Sequence, residues 1–278
     1  MTKHLILRTC NADMQSYKGF QWPRSGPVAA PDWDPVEECG KGLHGFLRGE
    51  GDGELAEWHS KALWVVAEVE TFVDLGGKVK FPYAEVIFVG TRLEATTLVK
   101  ARYPDATVVG SHVTVGNGGV AKVGYYGIAT AGHHGTATAG HHGTATAGHH
   151  GTATAGECGT ATAGSHGTAT AGPCGTATAG YYGTAKAGPY GTAKAGDRGT
   201  ATAGDRGNAT AGYHGTATAG NHGTATAGEL GRLQIEYIVD RRRRLAVAYV
   251  GENGILAGVR YGLDSFGNFQ QLHYLVRS

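Results

Sequence analysis

An eight-residue period constrains this chain more than any other feature: residues 125–228 are thirteen tandem copies of a unit that reads xxGTATAG. Number its positions 1 to 8, with 1 and 2 variable. The Thr-Ala-Thr-Ala run at positions 4–7 alternates every second residue, which is the period of a strand and not of a helix. Threonine is β-branched and suits a pleated surface. Glycines at 3 and 8 bracket the variable pair, where the chain must turn and where a positive φ is expected. Each octapeptide therefore reads as one short strand and one tight corner.

The exceptions to the repeat decide which side chains point inward. Position 6 becomes lysine at Lys122, Lys186 and Lys194, while position 4 becomes Asn208, and Arg232 in the degenerate unit after the array. Positions 5 and 7 never turn polar; in the flanking units they become Val113, Val115, Val123, Leu233 and Ile235. A dry core accepts valine and leucine but not an unpaired lysine or arginine. Alanine is therefore inside and threonine outside. One strand per coil cannot close on itself, so two octapeptides must form a coil with two facing sheets.

The fold class expected is mainly β: a two-sheeted β-solenoid with an α+β domain before it and a β-meander cap after it. With two degenerate units (109–116 and 117–124) the rod has about 7.5 coils and is roughly 36 Å long, at ~4.8 Å per coil. Its alanine-lined interior buries little, so stability must lean on ladder hydrogen bonds and on caps at both ends.

The domain expectation is 1–108 for the N-terminal α+β capping domain, 109–228 for the solenoid and 229–278 for the C-terminal β cap. All four tryptophans fall within the first 64 residues, which places an ordinary core there. Strand-like runs occupy 3–9, 61–71 and 84–95, separated by turn chemistry such as DLGGK and RYPDA. The C-terminal region offers four β segments, and its Asp240–Arg244 run is read as a hairpin turn rather than a phosphate contact. The formal net charge is +1, so no bulk field draws the chain to nucleic acid or to a membrane surface. No apolar stretch suits a secretory signal or a bilayer span, from which a cytoplasmic location is expected.

The coil period also predicts neighbours. Cys158 and Cys174 are 16 residues apart and should stack, either as free thiols or as a disulfide. His134, His150 and His166 should form a column continued by Tyr182, Arg198 and His214. Such a column invites a metal reading, but no carboxylate or thiolate closes a coordination shell, and a solvated turn ladder is the plainer alternative.

The outward threonines form a flat, uncharged T-x-T grid that resembles the ice-binding faces of solenoid antifreeze proteins. The unit Ala211-Gly212-Tyr213-His214-Gly215-Thr216-Ala217-Thr218 also resembles the octapeptide of bacterial ice-nucleation proteins, roughly A-G-Y-G-S-T-x-T, with His where that family often has Gly or Ser. The resemblance implies a surface that orders water or binds ice. Its contact pairs would be Thr136/Thr138, Thr144/Thr146, Thr152/Thr154, Thr160/Thr162, Thr168/Thr170 and Thr176/Thr178, which form a patch that ends at Lys186 and Lys194. The partner is then a water or ice surface. The alternative is a scaffold, stalk or filament that binds protein or self-associates end to end or face to face.

A second centre of function is possible in the N-terminal region. Tyr17-Lys18-Gly19, Gly40-Lys41-Gly42-Leu43-His44 with Ser60-Lys61, and Ala84-Glu85-Val86-Ile87-Phe88 resemble short motifs of ADP-ribosyltransferases. That resemblance implies Lys18, His44 and Glu85 as catalytic residues and NAD as the ligand; the non-enzymatic reading implies no cofactor. The plain alternative is a glycine turn and a strand-edge carboxylate. Gly19-Phe20-Gln21-Trp22 and Glu38-Cys39-Gly40-Lys41-Gly42-Leu43-His44, followed by short Ala/Gly-rich repeats, are similar to bacterial and phage proteins that imply no particular activity.

Overall fold

A computed structural model describes residues 2–16 and 19–272. The chain divides into two compact units, residues 1–113 with 122–128 and residues 114–121 with 129–278.

The first unit is built on a seven-stranded antiparallel sheet. Its strands are β1 (His4–Cys10), β2 (Gly26–Ala29), β3 (Leu43–Leu47), β4 (Leu63–Val69), β5 (Val73–Asp74), β6 (Val79–Phe81) and β7 (Tyr83–Gly90), in the order β2-β7-β4-β1-β3-β6-β5. Alternation along β1 feeds two cores. Ile6 and Cys10 pack with Trp22, Val65, Phe81 and Val86 on one face. Leu5 and Leu7 pack with Phe46, Trp64 and Val66 on the other, where helix α1 (Arg92–Arg102) lays Ala95 and Val99. The run 84–95, expected as one strand, is strand only to Gly90. Thr91 then caps the helix, its hydroxyl accepting from the Glu94 amide while the Glu94 carboxylate accepts from the Thr91 amide. That reciprocal cap, T-x-x-E, is the sequence signal that a strand reading passes over.

The second unit is the solenoid. Successive octapeptides alternate between two parallel sheets, and each strand pairs in register with the one sixteen residues on: Thr136 with Thr152, Ala137 with Ala153, Thr152 with Thr168. The alanines are buried, Ala137 at 0% and Ala139 at 3% exposure, and the threonines are not. Lys186 and Lys194 are exposed, as the inside–outside reading requires. Leu233 and Ile235 take the alanine positions in strand Arg232–Val239 and are fully buried, extending the same core with larger side chains.

The corners narrow the expectation of a positive φ at the variable pair. Positive φ falls on position 2, at His134 (56°), His150 (56°), Cys158 (51°) and Arg198 (55°), and not on the glycines of positions 3 and 8. Those glycines are required by space. A Cβ on Gly164 would lie 2.8 Å from the backbone of Gly148 and His149 in the coil before. A Cβ on Gly167 would lie 2.8 Å from the Ala163 Cβ and the Gly151 carbonyl oxygen. The close approach is set by hydrogen bonds: the Gly135 amide closes the turn onto Gly132 O at 3.1 Å, and the His134 amide donates to His149 O in the next coil at 2.9 Å.

The C-terminal β segments are shared between the two sheets. Strand Arg232–Val239 pairs with Thr216–Ala219 and turns back antiparallel into Arg242–Tyr249. Asp240 and Arg241, at φ 51° and 60°, make the two-residue turn with positive φ at both positions that hairpins favour, so the arginine run is a hairpin. On the other sheet Tyr261–Leu263 joins Thr224–Ala227 and pairs with Phe269–Gln271. Gly254 (φ 80°) and Gly258 (φ 72°) turn the first part of the third expected segment out of strand. Residues 273–276 of the fourth lie outside the described residues.

Adjacent residues should therefore respond oppositely to substitution. Gly223→Ala forces a Cβ to 2.7 Å from Gly207 O and is expected to destabilise by about 1–3 kcal/mol, the usual cost of overpacking. His222→Gly relieves a left-handed residue at φ 58° and should stay within about 1 kcal/mol of wild type. Thermal or urea unfolding of the two variants checks both.

Candidate functional site

Each sheet of the rod carries two columns of threonine, because positions 4 and 6 point the same way along every strand. On one sheet the columns run Thr136, Thr152, Thr168 and Thr138, Thr154, Thr170, the second ending at Lys186. On the other they run Thr144, Thr160, Thr176 and Thr146, Thr162, Thr178, the second ending at Lys194. The structure thus brings the twelve threonines together as two patches of six on separate sheets. Ladder geometry spaces them ~4.8 Å between coils and ~6.7 Å along the strand.

The patches are close to charge-free. Between residues 133 and 180 the sequence holds one formally charged side chain, Glu157, on a corner. Their hydroxyls are also uncommitted. Beyond the patches the columns use theirs internally: Thr218 donates to Gln234 Oε1 at 2.9 Å and Thr224 to Asn208 Oδ1 at 2.7 Å. Among the described residues none of the twelve patch threonines bonds a side chain in this way. A methyl and an unpaired hydroxyl recur at each grid point.

The corners form ladders too. The rings of His134 and His150 stack with centroids 5.0 Å apart, His150 and His166 at 4.9 Å, and His166 and Tyr182 at 5.2 Å. The Arg198 guanidinium lies 5.6 Å over the Tyr182 ring and donates to its hydroxyl. Face-to-face stacking separates the imidazole nitrogens by a full coil, and among the described residues no group of three or more His, Cys, Asp or Glu is disposed to hold a metal ion. Cys158 and Cys174 are exposed free thiols close enough to hydrogen-bond, and partial burial together with the neighbouring thiol pushes the Cys158 pKa up.

In the first unit His44 and Glu85, singled out from the sequence, are not brought together. Lys18 lies outside the described residues. His44 is on β3 and lines a cavity, whereas Glu85 is on β7 with β4 and β1 between them. The Glu85 carboxylate accepts from the Tyr83 hydroxyl at 3.3 Å. Ser60 and Lys61 line a different recess, with Trp58 and Glu94. The residues the His44 cavity does gather, Arg8 and Lys78, were missed: one sits inside an apolar strand and the other in a glycine turn, and neither belongs to a motif.

Comparison with known proteins follows this division. The first unit matches the family model described as Domain of unknown function (DUF7666) over residues 4–101, and residues 157–206 match Domain of unknown function (DUF4774). The repeat is similar to that of bacterial ice nucleation proteins. An ice nucleation protein of Enterobacter agglomerans is 38% identical over 131 residues, 41% of this chain and 10% of its own. InaU of Pantoea ananas is 38% identical over 131 residues, 41% of this chain and 13% of its own. An ice nucleation protein of Xanthomonas campestris pv. translucens is 41% identical over 106 residues, 37% and 7% respectively. The chain thus spans about a tenth of the length of these curated relatives. No solved structure matches it. No helix among the described residues is long and apolar enough to cross a membrane.

The histidine column carries a pH signature. Burial, then the neighbouring rings of His149, His166 and His134, hold the His150 pKa below its ordinary value of 6.5. A histidine depressed in the folded state binds its proton more readily when unfolded, so stability falls as pH drops through 6.5 and below. The melting temperature should decline from pH 7.5 to 5, and His150→Asn, which tolerates the left-handed corner, should reduce the decline. Calorimetry of both proteins across that range is the check.

Proposed function

We propose that the protein binds ice or orders water on the threonine faces of its solenoid, acting through the six-threonine patches at Thr136–Thr170 on one sheet and Thr144–Thr178 on the other. The observation that carries this reading is the in-register T-x-T grid with hydroxyls uncommitted to protein. Each grid point presents a methyl that excludes water from its own footprint and a hydroxyl that anchors one water at a repeat of roughly 4.8 by 6.7 Å. Rigid positioning matters because a water layer ordered before contact has less entropy left to lose. Similarity of the repeat to proteins named for ice nucleation supports the reading, although the chain spans only about a tenth of their length.

The lysines bear on which coils do this work. An ammonium replaces a threonine hydroxyl at Lys186 and Lys194 and carries its own strongly bound water, which breaks the grid. The uninterrupted patches cover three coils per face, so a single rod offers a small template. Growth inhibition of existing ice asks less of such a template than nucleation does. A spacer or scaffold role would use the same rod without needing free hydroxyls.

Thermal-hysteresis and droplet-freezing measurements test the reading on wild type and on two paired variants. Thr152→Lys with Thr168→Lys spoils one sheet; Thr160→Lys with Thr176→Lys spoils the other. Activity in the wild type, lost in at least one pair while the fold is retained, is the expected result. A wild type that alters neither ice growth nor freezing temperature excludes the ice reading and leaves the scaffold.

A further inference from the structure

Strands β1 and β3 pair over only two residues each, Ile6 with Leu47 and Leu7 with Phe46. Beyond that point they part, and the Arg8 guanidinium bridges the gap by donating to the His44 carbonyl oxygen at 3.1 Å. A cavity of about 590 Å³ opens there, lined by Arg8, Phe20, Lys41, His44 and Lys78 among others. Its size falls within the few hundred to a thousand Å³ typical of small-molecule sites.

Arg8, Lys41 and Lys78 against the carboxylate of Asp32 make the lining net positive. Lys41 is paired with Asp34 at 3.1 Å, and Asp32 accepts from the Gly42 amide at 2.9 Å. The other cations have no carboxylate within ion-pair distance among the described residues. Arg8 donates to the carbonyls of Thr9 and His44, bonds the Cys10 side chain and lies 4.1 Å over the Trp22 ring; Lys78 donates to the Cys39 sulfur at 3.0 Å, and Lys80, 2% exposed, to Glu38 O at 3.0 Å. Lys80 is buried, Arg8 half-buried and Lys78 partly exposed, and a cation withdrawn from water without counter-charge is costly. A fold that sets Arg8 and Lys78 on the wall of one opening, with Lys80 the strand neighbour of His44, is arranged to receive an anion.

His44 supplies the second indication. Its Nε2 is buried and has no hydrogen-bond partner among the described residues. Burial, then the charges of Lys78, Arg8 and Lys80, push its pKa down to about 4 against an opposing hydrogen bond to the Gly42 backbone, so the ring is neutral at physiological pH and carries a single N–H. An orphaned buried ring nitrogen on the wall of a cationic cavity lacks the partner that would complete it. Phe20, also on the wall, offers an apolar surface for a flat ring.

We propose that this cavity binds a phosphate-bearing small molecule of nucleotide size, with Arg8 and Lys78 holding the anion, His44 taking up a proton beside it so that Nε2 donates to it, and Phe20 packing against the organic part. The site is independent of the threonine faces. It uses neither Glu85 nor any bond-making step.

Isothermal titration of the full chain at low salt with ADP, inorganic pyrophosphate and adenosine tests the assignment. ADP should bind most tightly, pyrophosphate measurably and adenosine weakly or not at all. Lys78→Gln, at a partly exposed turn where folding is not at risk, should weaken ADP by about tenfold, the scale of one charge-assisted contact. Lys3→Gln, which removes an amine paired with Glu68 elsewhere on the unit, should leave binding unchanged. The His44 ring resonances, followed by NMR, should titrate at higher pH once pyrophosphate is bound. Adenosine binding as tightly as ADP, no heat from either anion at millimolar concentration, or full affinity in Lys78→Gln would each overturn the proposal.

Discussion

The rod depends on how closely consecutive coils approach at their corners. The amide of position 2 reaches the carbonyl of position 1 one coil ahead, and the turn closes between the two glycines. At that separation no Cβ fits at positions 3 or 8. Glycine therefore recurs every few residues for reasons of volume, and the repeat cannot drift at those positions without parting the ladder. The interior between the two sheets is lined by alanine along the array and by Leu233 and Ile235 at its end.

Having fixed the glycines by volume, the structure assigns the conformational strain to position 2. Histidine, tyrosine, cysteine and arginine sit there in the left-handed region, where a side chain is ordinarily disfavoured by roughly 1–2 kcal/mol per residue. What they gain is visible along the edge: stacked rings at His134, His150, His166 and Tyr182, then the Arg198–Tyr182 contact. The corners add lateral cohesion that the alanine core is too thin to supply. The threonine faces take no part in this cohesion over the three coils before the lysines, which leaves them free to act as surfaces.

The two units represent two levels of legibility. In the solenoid a short period propagates one local solution, so each exception to the repeat reports on the environment of all its equivalents. In the first unit nothing repeats. Helix α1 was announced only by Thr91 and Glu94, and the cavity's cations come from β1 and from the turn before β6, seventy residues apart. His44 was legible as a residue of interest through its glycine-rich segment; its company was not. Glu85 was grouped with it by motif, and the strand order separates them.

By itself the sequence determined the strand period, the coil of two octapeptides, the inward alanines and outward threonines, and the stacking of residues sixteen apart. Each of these follows from local propensity and from the rule that an unpaired charge stays out of a dry core. Only the tertiary structure decided why the glycines are there, which residue of each corner takes the positive φ, and which side chains share the cavity between β1 and β3. Those depend on distances between segments that are remote in the chain, and a Cβ clash or an unpaired cation exists only once both neighbours are in place.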